Sequence, residues 1–343
     1  MSDRADIAVR RVVYEMPGQD DIQVVRERYT ASGGGTLPLD LYLPPAASHR
    51  PAPAVILVTG YDDRGMRRAL GCAARELAAF ECWGRLLAAS GMVGVSYECH
   101  APVADAHAVM DTLRQRGDDW GIDAARLGLW SCSGHAANAL GLLMDDHDVD
   151  AAALCYPYLL DLDGSTWVTD AARTFRFVTP ADGRPVSDLP GRTRTLVVRA
   201  GLDESPGLNP ALDRFVAHAL AANRPVSLLN HADGPHAFDL VQPDEASRRA
   251  VRTVLWSLQT SLGALLRGCA RPRLYPAHSS GWSRRCCCPG RWSSCPGAPA
   301  CQPRVRCANR TGRPDEASQS LDRGGCRRRA RARRRRRDRW RCR

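Results

Sequence analysis

Three residues of the chain carry side chains that together could transfer an acyl group, namely Ser133, Asp203 and His236. Each follows a predicted strand, and in open α/β sheets functional side chains gather at the carboxyl ends of strands. A histidine in such a place can take the hydroxyl proton while the serine attacks a carbonyl carbon, and an aspartate can orient the ring and stabilise the imidazolium. The residues therefore predict nucleophilic catalysis, with Ser133 as nucleophile, His236 as base and Asp203 as the orienting acid.

The turn at Ser133 also supplies a group that could bind a negatively charged oxygen. Residues 125–140 indicate a strand, an abrupt turn and then a helix of small and apolar residues. In such a turn the serine oxygen stands clear of the sheet edge, and the N–H of Gly134, at the start of the helix, points toward the same space. A second N–H is expected from Tyr61, on the loop after the strand 54–58. We therefore expect Gly134 and Tyr61 to form an oxyanion hole.

Strands and helices alternate along most of the chain, which positions these residues at one sheet edge. Val- and Tyr-rich stretches at 9–14 and 22–29, joined by turn residues at 17–20, are predicted to be antiparallel edge strands, as is 39–43. Further strands are predicted at 54–58, 92–98, 127–131, 151–156, 194–200 and 226–230, and helices at 73–90, 104–116, from 134, 209–221 and 245–266. The pattern predicts an α/β fold with a mostly parallel central sheet, helices on both faces and antiparallel strands at the N-terminal edge.

Simpler roles compete with each candidate residue. Ser133 could be a helix N-cap, as serine after a strand often is. Asp203 could cap the helix near Asn209 or sit in a turn, and its neighbour Glu204 could replace it as the acid. His231 lies closer to the last strand than His236 does, although the Gly-Pro-His-Ala-Phe context favours His236.

Several other residues are candidates for the wall of a pocket. Residues 98–100, Glu-Cys-His, end a strand at the same sheet edge and could line the pocket or form a solvated loop. Tyr156, Tyr158 and the aromatic residues of an irregular insertion at 161–190 are better candidates. An insertion of this length is more often functional, for example as a lid, than a simple connector.

Four segments together resemble the dienelactone hydrolase-like branch of the α/β-hydrolase superfamily over about residues 37–266. They are Val58-Thr59-Gly60-Tyr61, residues 128–134, residues 198–204 and Pro235-His236-Ala237-Phe238-Asp239. The resemblance is specific because the segments occur together and in this order, whereas each alone would be weak. It implies an α/β-hydrolase fold and a hydrolase that needs no metal or organic cofactor.

The sequence departs from the family's Gly-x-nucleophile-x-Gly pattern, since residues 131–135 read Ser-Cys-Ser-Gly-His. His135 takes a place usually given to glycine. Dienelactone hydrolases proper use cysteine as the nucleophile, and Cys132 is adjacent to Ser133. We favour Ser133, because a small serine stands two places before it, where the tight turn needs a small residue. If Cys132 were the nucleophile, the place two residues before it would hold the large side chain of Trp130.

The net charge of +11 is unevenly distributed. Residues 268–343 contain 22 arginines and 4 acidic residues, whereas residues 1–267 contain 26 arginines and 33 acidic residues. We therefore predict an acidic α/β-hydrolase domain at 1–267 and a disordered tail rich in Arg, Cys and Pro at 268–343. The tail is either a nucleic-acid-binding arm or a GC-rich stretch translated out of frame. We favour the second, because free cysteines and exposed tryptophans are unusual in solubilising arms.

Cysteine use and the lack of targeting segments indicate a cytoplasmic protein. Of 14 cysteines, 5 are scattered through residues 1–267 without a disulfide framework, and those of the tail lack the paired spacing of a zinc site. The N-terminal residues contain no apolar stretch typical of a signal peptide, and apolar runs are far shorter than the roughly 20 residues that span a bilayer. We expect no membrane partner, and no pattern indicates an oligomeric state.

The main hypothesis is a serine hydrolase that cleaves a small-molecule carboxylic ester, thioester or lactone through an acyl-enzyme. An amidase or peptidase on the same fold would differ only in its leaving group. An alternative from another class is a non-catalytic protein in which His135 marks a degenerate turn and the basic tail binds nucleic acid.

Overall fold

The computed structural model describes residues 7–45, 51–145 and 148–264. Within these ranges eight strands form one sheet in the order β1-β2-β4-β3-β5-β6-β7-β8. The strands are β1 (Gln23–Thr30), β2 (Thr36–Leu43), β3 (Ala52–Leu57), β4 (Val93–Tyr97), β5 (Ile122–Cys132), β6 (Val149–Cys155), β7 (Arg194–Ala200) and β8 (Val226–His231). The pairs β1–β2 and β2–β4 are antiparallel, and all pairs from β4 to β8 are parallel. The predicted mostly parallel sheet with an antiparallel N-terminal edge is confirmed.

Helices cover both faces of this sheet. They are α1 (Asp63–Leu70), α2 (Ala78–Ala89), α3 (Pro102–Arg116), α4 (Ala136–Asp145), α5 (Trp167–Phe175), α6 (Leu208–Ala221), α7 (Phe238–Val241) and α8 (Glu245–Ser261). Apolar side chains of α3, α4 and α6 pack into one core cluster, and those of α2 and α8 pack into a second. Of the helices described, none is long and apolar enough to cross a membrane.

The central strands supply side chains to both clusters. In β3, Ala54 and Ile56 belong to one cluster, while Val55 and Leu57 belong to the other. Successive side chains of a strand point to opposite faces, so a strand covered on both sides needs a continuous apolar run. This explains why the run that ends at Val58 was recognisable in the sequence.

The prediction of a strand at residues 9–14 is wrong. The N–H of Val13 donates to the carbonyl of Asp239 at 2.7 Å, and Val12 is buried in the cluster that includes α2 and α8. The segment therefore packs against the C-terminal part of the domain and pairs with no strand of the described sheet. The edge hairpin joins β1 to β2 instead, through the glycines at 33–35.

Other differences concern element boundaries. The sequence pattern does not predict the helix α1, and the helix predicted at 73–90 begins only at Ala78. The insertion at 161–190 contains the helix α5, which has no counterpart in the prediction. The last helix ends at Ser261. The predicted domain boundary at residue 267 and the basic tail lie outside the described residues.

Candidate active site

Ser133 lies in a tight turn between β5 and α4. Its φ is 50°, in the left-handed region that residues with a side chain seldom adopt. The turn packs closely against its surroundings: a Cβ atom added to Gly134 would lie 2.5 Å from Tyr61 Oη and 2.6 Å from the ring of Phe177. The position after Ser133 therefore admits glycine and no larger residue without movement of its neighbours.

The structure brings Ser133, His236 and Asp203 into one hydrogen-bonded line. Ser133 Oγ lies 3.0 Å from His236 Nε2, and His236 Nδ1 lies 2.7 Å from Asp203 Oδ2. The Asp203 side chain is fully buried, whereas 34% of the His236 side chain is exposed. Because an ionised carboxylate can only accept hydrogen bonds, Nδ1 carries the proton and Nε2 is free to accept the serine hydroxyl.

The surroundings of Asp203 favour its ionised form. Its Oδ1 atom accepts a 2.9 Å hydrogen bond from the N–H of Ser205. Burial raises the pKa of Asp203, but the hydrogen bond from His236, the attraction between the carboxylate and the protonated form of that ring, and the bonds from Ser205 outweigh burial and hold the pKa below its ordinary value. The carboxylate is therefore charged at neutral pH and can stabilise an imidazolium.

Two backbone hydrogen bonds join the loop that carries Asp203 to the loop that carries His236. The N–H of Gly201 donates to the carbonyl of His231 at 2.8 Å, and the N–H of Leu202 donates to Gly234 at 2.9 Å. A Cβ atom on Gly201 would lie 2.1 Å from the carbonyl oxygen of Ala232. Close approach of the two backbones thus requires glycine at position 201, and it fixes the spacing of acid and base.

The competing acid and base lie elsewhere. The ring of His231 is buried, with Nε2 3.0 Å from Ser247 Oγ in α8, so His231 is a packing residue of the core. Glu204 is exposed to solvent. Glu98 accepts a 2.7 Å hydrogen bond from Arg67 in an ion-pair cluster, whereas the buried Cys99 contacts the loop beside the site, with Sγ 3.1 Å from the carbonyl oxygen of Tyr61.

Cys132 occupies the last position of β5, next to Ser133. Burial raises the pKa of the Cys132 thiol, and the nearby charge of Asp239 raises it further. A thiol is a good nucleophile only when ionised, so this environment opposes a nucleophilic role for Cys132.

The loop at residues 58–61 lies directly beside the turn at Ser133. A Cβ atom on Gly60 would lie 2.9 Å from the carbonyl oxygen of Gly134, so the two backbones are in contact. The N–H of Tyr61 makes one long contact, 3.4 Å, with Thr59 Oγ1. Two peptide groups that could bind an oxyanion, those of Tyr61 and Gly134, are therefore on adjoining segments.

The insertion at 161–190 lies over this loop. The N–H of Val178 donates to the carbonyl of Gly60 at 3.0 Å. The ring of Phe177 stacks on Tyr158 with centroids 5.4 Å apart, and the N–H of Tyr158 donates to the carbonyl of Ser133 at 3.2 Å. Phe177 of the insertion and Tyr158 of the segment after β6 thus lie against the backbone around Ser133, whereas Trp167 and Phe175 of the insertion are exposed to solvent.

A buried carboxylate that sequence reasoning did not single out lies close to the candidate base. Asp239, at the end of the Pro-His-Ala-Phe-Asp segment, is 2% exposed and accepts hydrogen bonds from Tyr156 Oη at 2.7 Å and Trp83 Nε1 at 3.0 Å. Burial raises its pKa above the ordinary value. Among the described residues, no group of three or more His, Cys, Asp and Glu could hold a metal ion.

No protein-family model matches the sequence, and no curated protein matches it. Solved structures do match. The esterase LipW from Mycobacterium marinum is 19% identical, with a TM-score of 0.53 over 71% of this chain and 82% of LipW. EstE1, a thermophilic carboxylesterase cloned from a metagenomic library, is 19% identical, with a TM-score of 0.56 over 73% of this chain and 92% of EstE1.

A third similar structure is that of an enzyme described as an α/β hydrolase. The α/β-hydrolase enzyme LAE6, from the metagenome of Lake Arreo in Spain, is 16% identical, with a TM-score of 0.58 over 76% of this chain and 87% of LAE6. At such identities the likeness establishes the fold alone. The chain has the α/β-hydrolase fold, with a sheet of eight strands in the part that the structure describes.

Proposed function

We propose that the protein is a serine hydrolase that cleaves a carboxylic ester, thioester or lactone. The observation that carries the proposal is the hydrogen-bonded line from Ser133 through His236 to Asp203, which begins on a turn residue with a φ of 50°. A serine that served only as a helix N-cap would need neither the histidine nor the buried acid behind it. Two of the solved structures of similar fold, LipW and EstE1, are those of an esterase and a carboxylesterase, which supports the same reaction class.

In the first half of the reaction Ser133 Oγ attacks the carbonyl carbon of the substrate. His236 Nε2 takes the hydroxyl proton, and Asp203 stabilises the positive ring through Nδ1–H. The carbonyl oxygen becomes an oxyanion that accepts hydrogen bonds from the N–H groups of Tyr61 and Gly134. His236 then gives the proton to the leaving oxygen or sulfur, and an acyl-enzyme on Ser133 results.

In the second half water replaces the leaving group. His236 removes a proton from the water as its oxygen attacks the acyl carbon, and the same oxyanion interactions form again. The bond from Ser133 Oγ to the carbonyl carbon then breaks, and His236 returns the proton to the serine. The products are a carboxylic acid and an alcohol or a thiol, or one hydroxy acid in the case of a lactone. The residues present complete this cycle without a cofactor.

We also propose membership of the dienelactone hydrolase-like branch, on the four segments that carry the resemblance. Serine replaces that branch's usual cysteine, in keeping with the raised pKa of the Cys132 thiol.

A cytoplasmic location is proposed as well, since Cys72, Cys82, Cys99, Cys132 and Cys155 are all free. An amidase or peptidase would use the same groups and differ in its substrate.

Labelling with a fluorophosphonate probe, followed by mass spectrometry of the adduct, tests the proposal. We expect an adduct on Ser133 in the wild type and in Cys132→Ser, the matched control, and none in Ser133→Ala. Hydrolysis of p-nitrophenyl esters should follow the same order. An adduct on Cys132, or no adduct on folded protein, would contradict the proposal, and the second result would favour the non-catalytic alternative.

A further inference from the structure

His135 occupies the place where the related pattern has glycine, directly after Gly134. Its side chain is buried among aromatic rings, with the ring centroid 4.7 Å from that of Tyr61 and 5.4 Å from that of Phe80. The proposed reaction gives this imidazole no proton to move. A buried polar ring at the turn therefore needs another role.

The contacts of His135 are with the 58–61 loop. Its Nδ1 atom accepts a 3.2 Å hydrogen bond from the N–H of Gly60 and lies 3.1 Å from Thr59 Oγ1. Because a peptide N–H can only donate, Nδ1 has no proton, the proton is on Nε2, and the threonine hydroxyl also donates to Nδ1. Burial lowers the pKa of His135 to about 3, so the ring remains neutral and able to accept in ordinary buffers.

Two further side chains hold the start of the 58–61 loop, one from β5 before Ser133 and one from α4 after it. Ser131 Oγ, in β5, donates to the carbonyl of Val58 at 2.9 Å. Asn138 Nδ2, in α4, donates to the carbonyl of Thr59 at 2.7 Å. The segment that carries Ser133 thus holds the loop at three successive residues, 58, 59 and 60.

The rest of the loop is held from outside, except for one group. The carbonyl of Gly60 accepts from the N–H of Val178, and the carbonyl of Tyr61 accepts from Cys99 Sγ at 3.1 Å. The N–H of Tyr61 has only the 3.4 Å contact with the hydroxyl of Thr59. The hydrogen bonds around it leave this N–H available to donate to an incoming oxyanion.

We propose that His135 is a positioning residue that fixes the Tyr61 N–H relative to the Gly134 N–H. The side chain of His135 connects the two donors. His135 directly follows Gly134 in the chain, and its ring accepts a hydrogen bond from the N–H of Gly60, which directly precedes Tyr61. The inference rests on the proposed serine hydrolase function, in which both N–H groups bind the oxyanion. A glycine at position 135 would supply no such connection.

The test compares three variants of the full chain with the wild type in ester hydrolysis. His135→Leu keeps the bulk and removes the acceptor, His135→Gly restores the related pattern, and His135→Asn places an acceptor oxygen near the position of Nδ1. Displacement of an oxyanion donor by about 1 Å can cost about 100-fold in rate. We therefore expect kcat to fall at least about 10-fold in the Leu and Gly variants and to stay within about 3-fold of wild type in the Asn variant, with little change in KM.

Thermal unfolding of each variant separates positioning from packing. A positioning role predicts that activity follows the presence of an acceptor and not the Tm. The inference is overturned if the Leu variant, or the Gly variant should Leu not fold, keeps wild-type kcat, or if the Asn variant loses as much kcat as the Leu variant. Failure of the proposed function is distinct, since then the wild type itself gives no adduct on Ser133 and no turnover.

Discussion

The ring of Tyr156 lies edge-on against the imidazole of His236, with the two centroids 4.9 Å apart. The tyrosine hydroxyl donates in turn to the buried Asp239. The candidate base is therefore held by Asp203 and Ser205 at its Nδ1 atom and by a tyrosine whose own position depends on a second carboxylate. Neither Tyr156 nor Asp239 takes part in the proposed proton transfers.

Replacement of Asp239 should destabilise the protein. The loss of stability should depend on how many of the buried donors are left without an acceptor. In Asp239→Leu the donors of Trp83 and Tyr156 would both be buried without a partner, at about 1–3 kcal/mol each. Asp239→Asn should cost less, because its oxygen can accept from Trp83 while the hydroxyl of Tyr156 turns to accept from the amide. Urea unfolding would measure both. A Leu variant as stable as wild type would show that the pair is not held by this carboxylate.

Exchange of the acid next to His236 should remove most of the activity. In Asp203→Asn the amide N–H₂ can donate to Nδ1, which places the ring proton on Nε2, where it blocks acceptance of the serine proton. The same change in another triad enzyme lowers kcat about 10⁴-fold at neutral pH, and we expect a comparable loss. The matched control is Glu204→Gln, an exposed neighbour that should keep wild-type kcat. Loss of activity in the control and retention in Asp203→Asn would identify Glu204 as the acid.

The sheet could be predicted because its central strands are buried on both faces and their apolar runs are continuous. β7 was predicted with the bounds that the structure gives, Arg194–Ala200. Residues 9–14 are rich in Val and Tyr, as are residues 22–29, but they form no strand. Their backbone partner is Asp239, far along the chain, and local composition carries no information about such a contact.

The candidate site was predictable where residue type and strand position coincide, as they do for Ser133, Asp203 and His236. Their catalytic roles stay predictions. The contacts of His135 and Phe177 could not be foreseen, because both depend on where another loop lies in space. In the sequence, His135 is only a departure from a glycine pattern, and Phe177 belongs to an irregular insertion.

The lack of space beside Gly134 predicts that alanine at this position lowers activity, and Gly33→Ala provides the control. Gly134→Ala would place a methyl group 2.5 Å from Tyr61 Oη and 2.6 Å from the ring of Phe177, so these groups or the turn must move. We expect kcat/KM to fall at least about 10-fold, because small shifts of the oxyanion donors are costly. Gly33→Ala, at a position with no atoms within 4 Å, should have no effect. The double variant Gly134→Ala/Phe177→Ala should recover part of the loss, and no recovery would place the conflict elsewhere.

Asp105 provides a prediction about stability in acid. This residue of α3 is 1% exposed and accepts four hydrogen bonds, from the N–H and hydroxyl of Ser32 at 2.9 and 2.7 Å and from the N–H groups of His100 and Ala101 at 2.8 and 2.9 Å. Burial raises the pKa of Asp105, but these hydrogen bonds outweigh it and hold the pKa below its ordinary value.

The folded protein therefore binds a proton at Asp105 more weakly than the unfolded chain does. The resulting stabilisation is complete above about pH 4, the pKa of an unfolded aspartate, and is lost as the pH falls from there toward the pKa in the folded state. Asp105→Asn should lower the free energy of unfolding by about 2–4 kcal/mol at pH 7, since its amide group would face N–H donors. Urea unfolding at pH 7, 5 and 3.5 should show the difference between wild type and variant shrinking only below about pH 4. A difference that is the same at all three pH values would mean that the charge on Asp105 contributes nothing to stability.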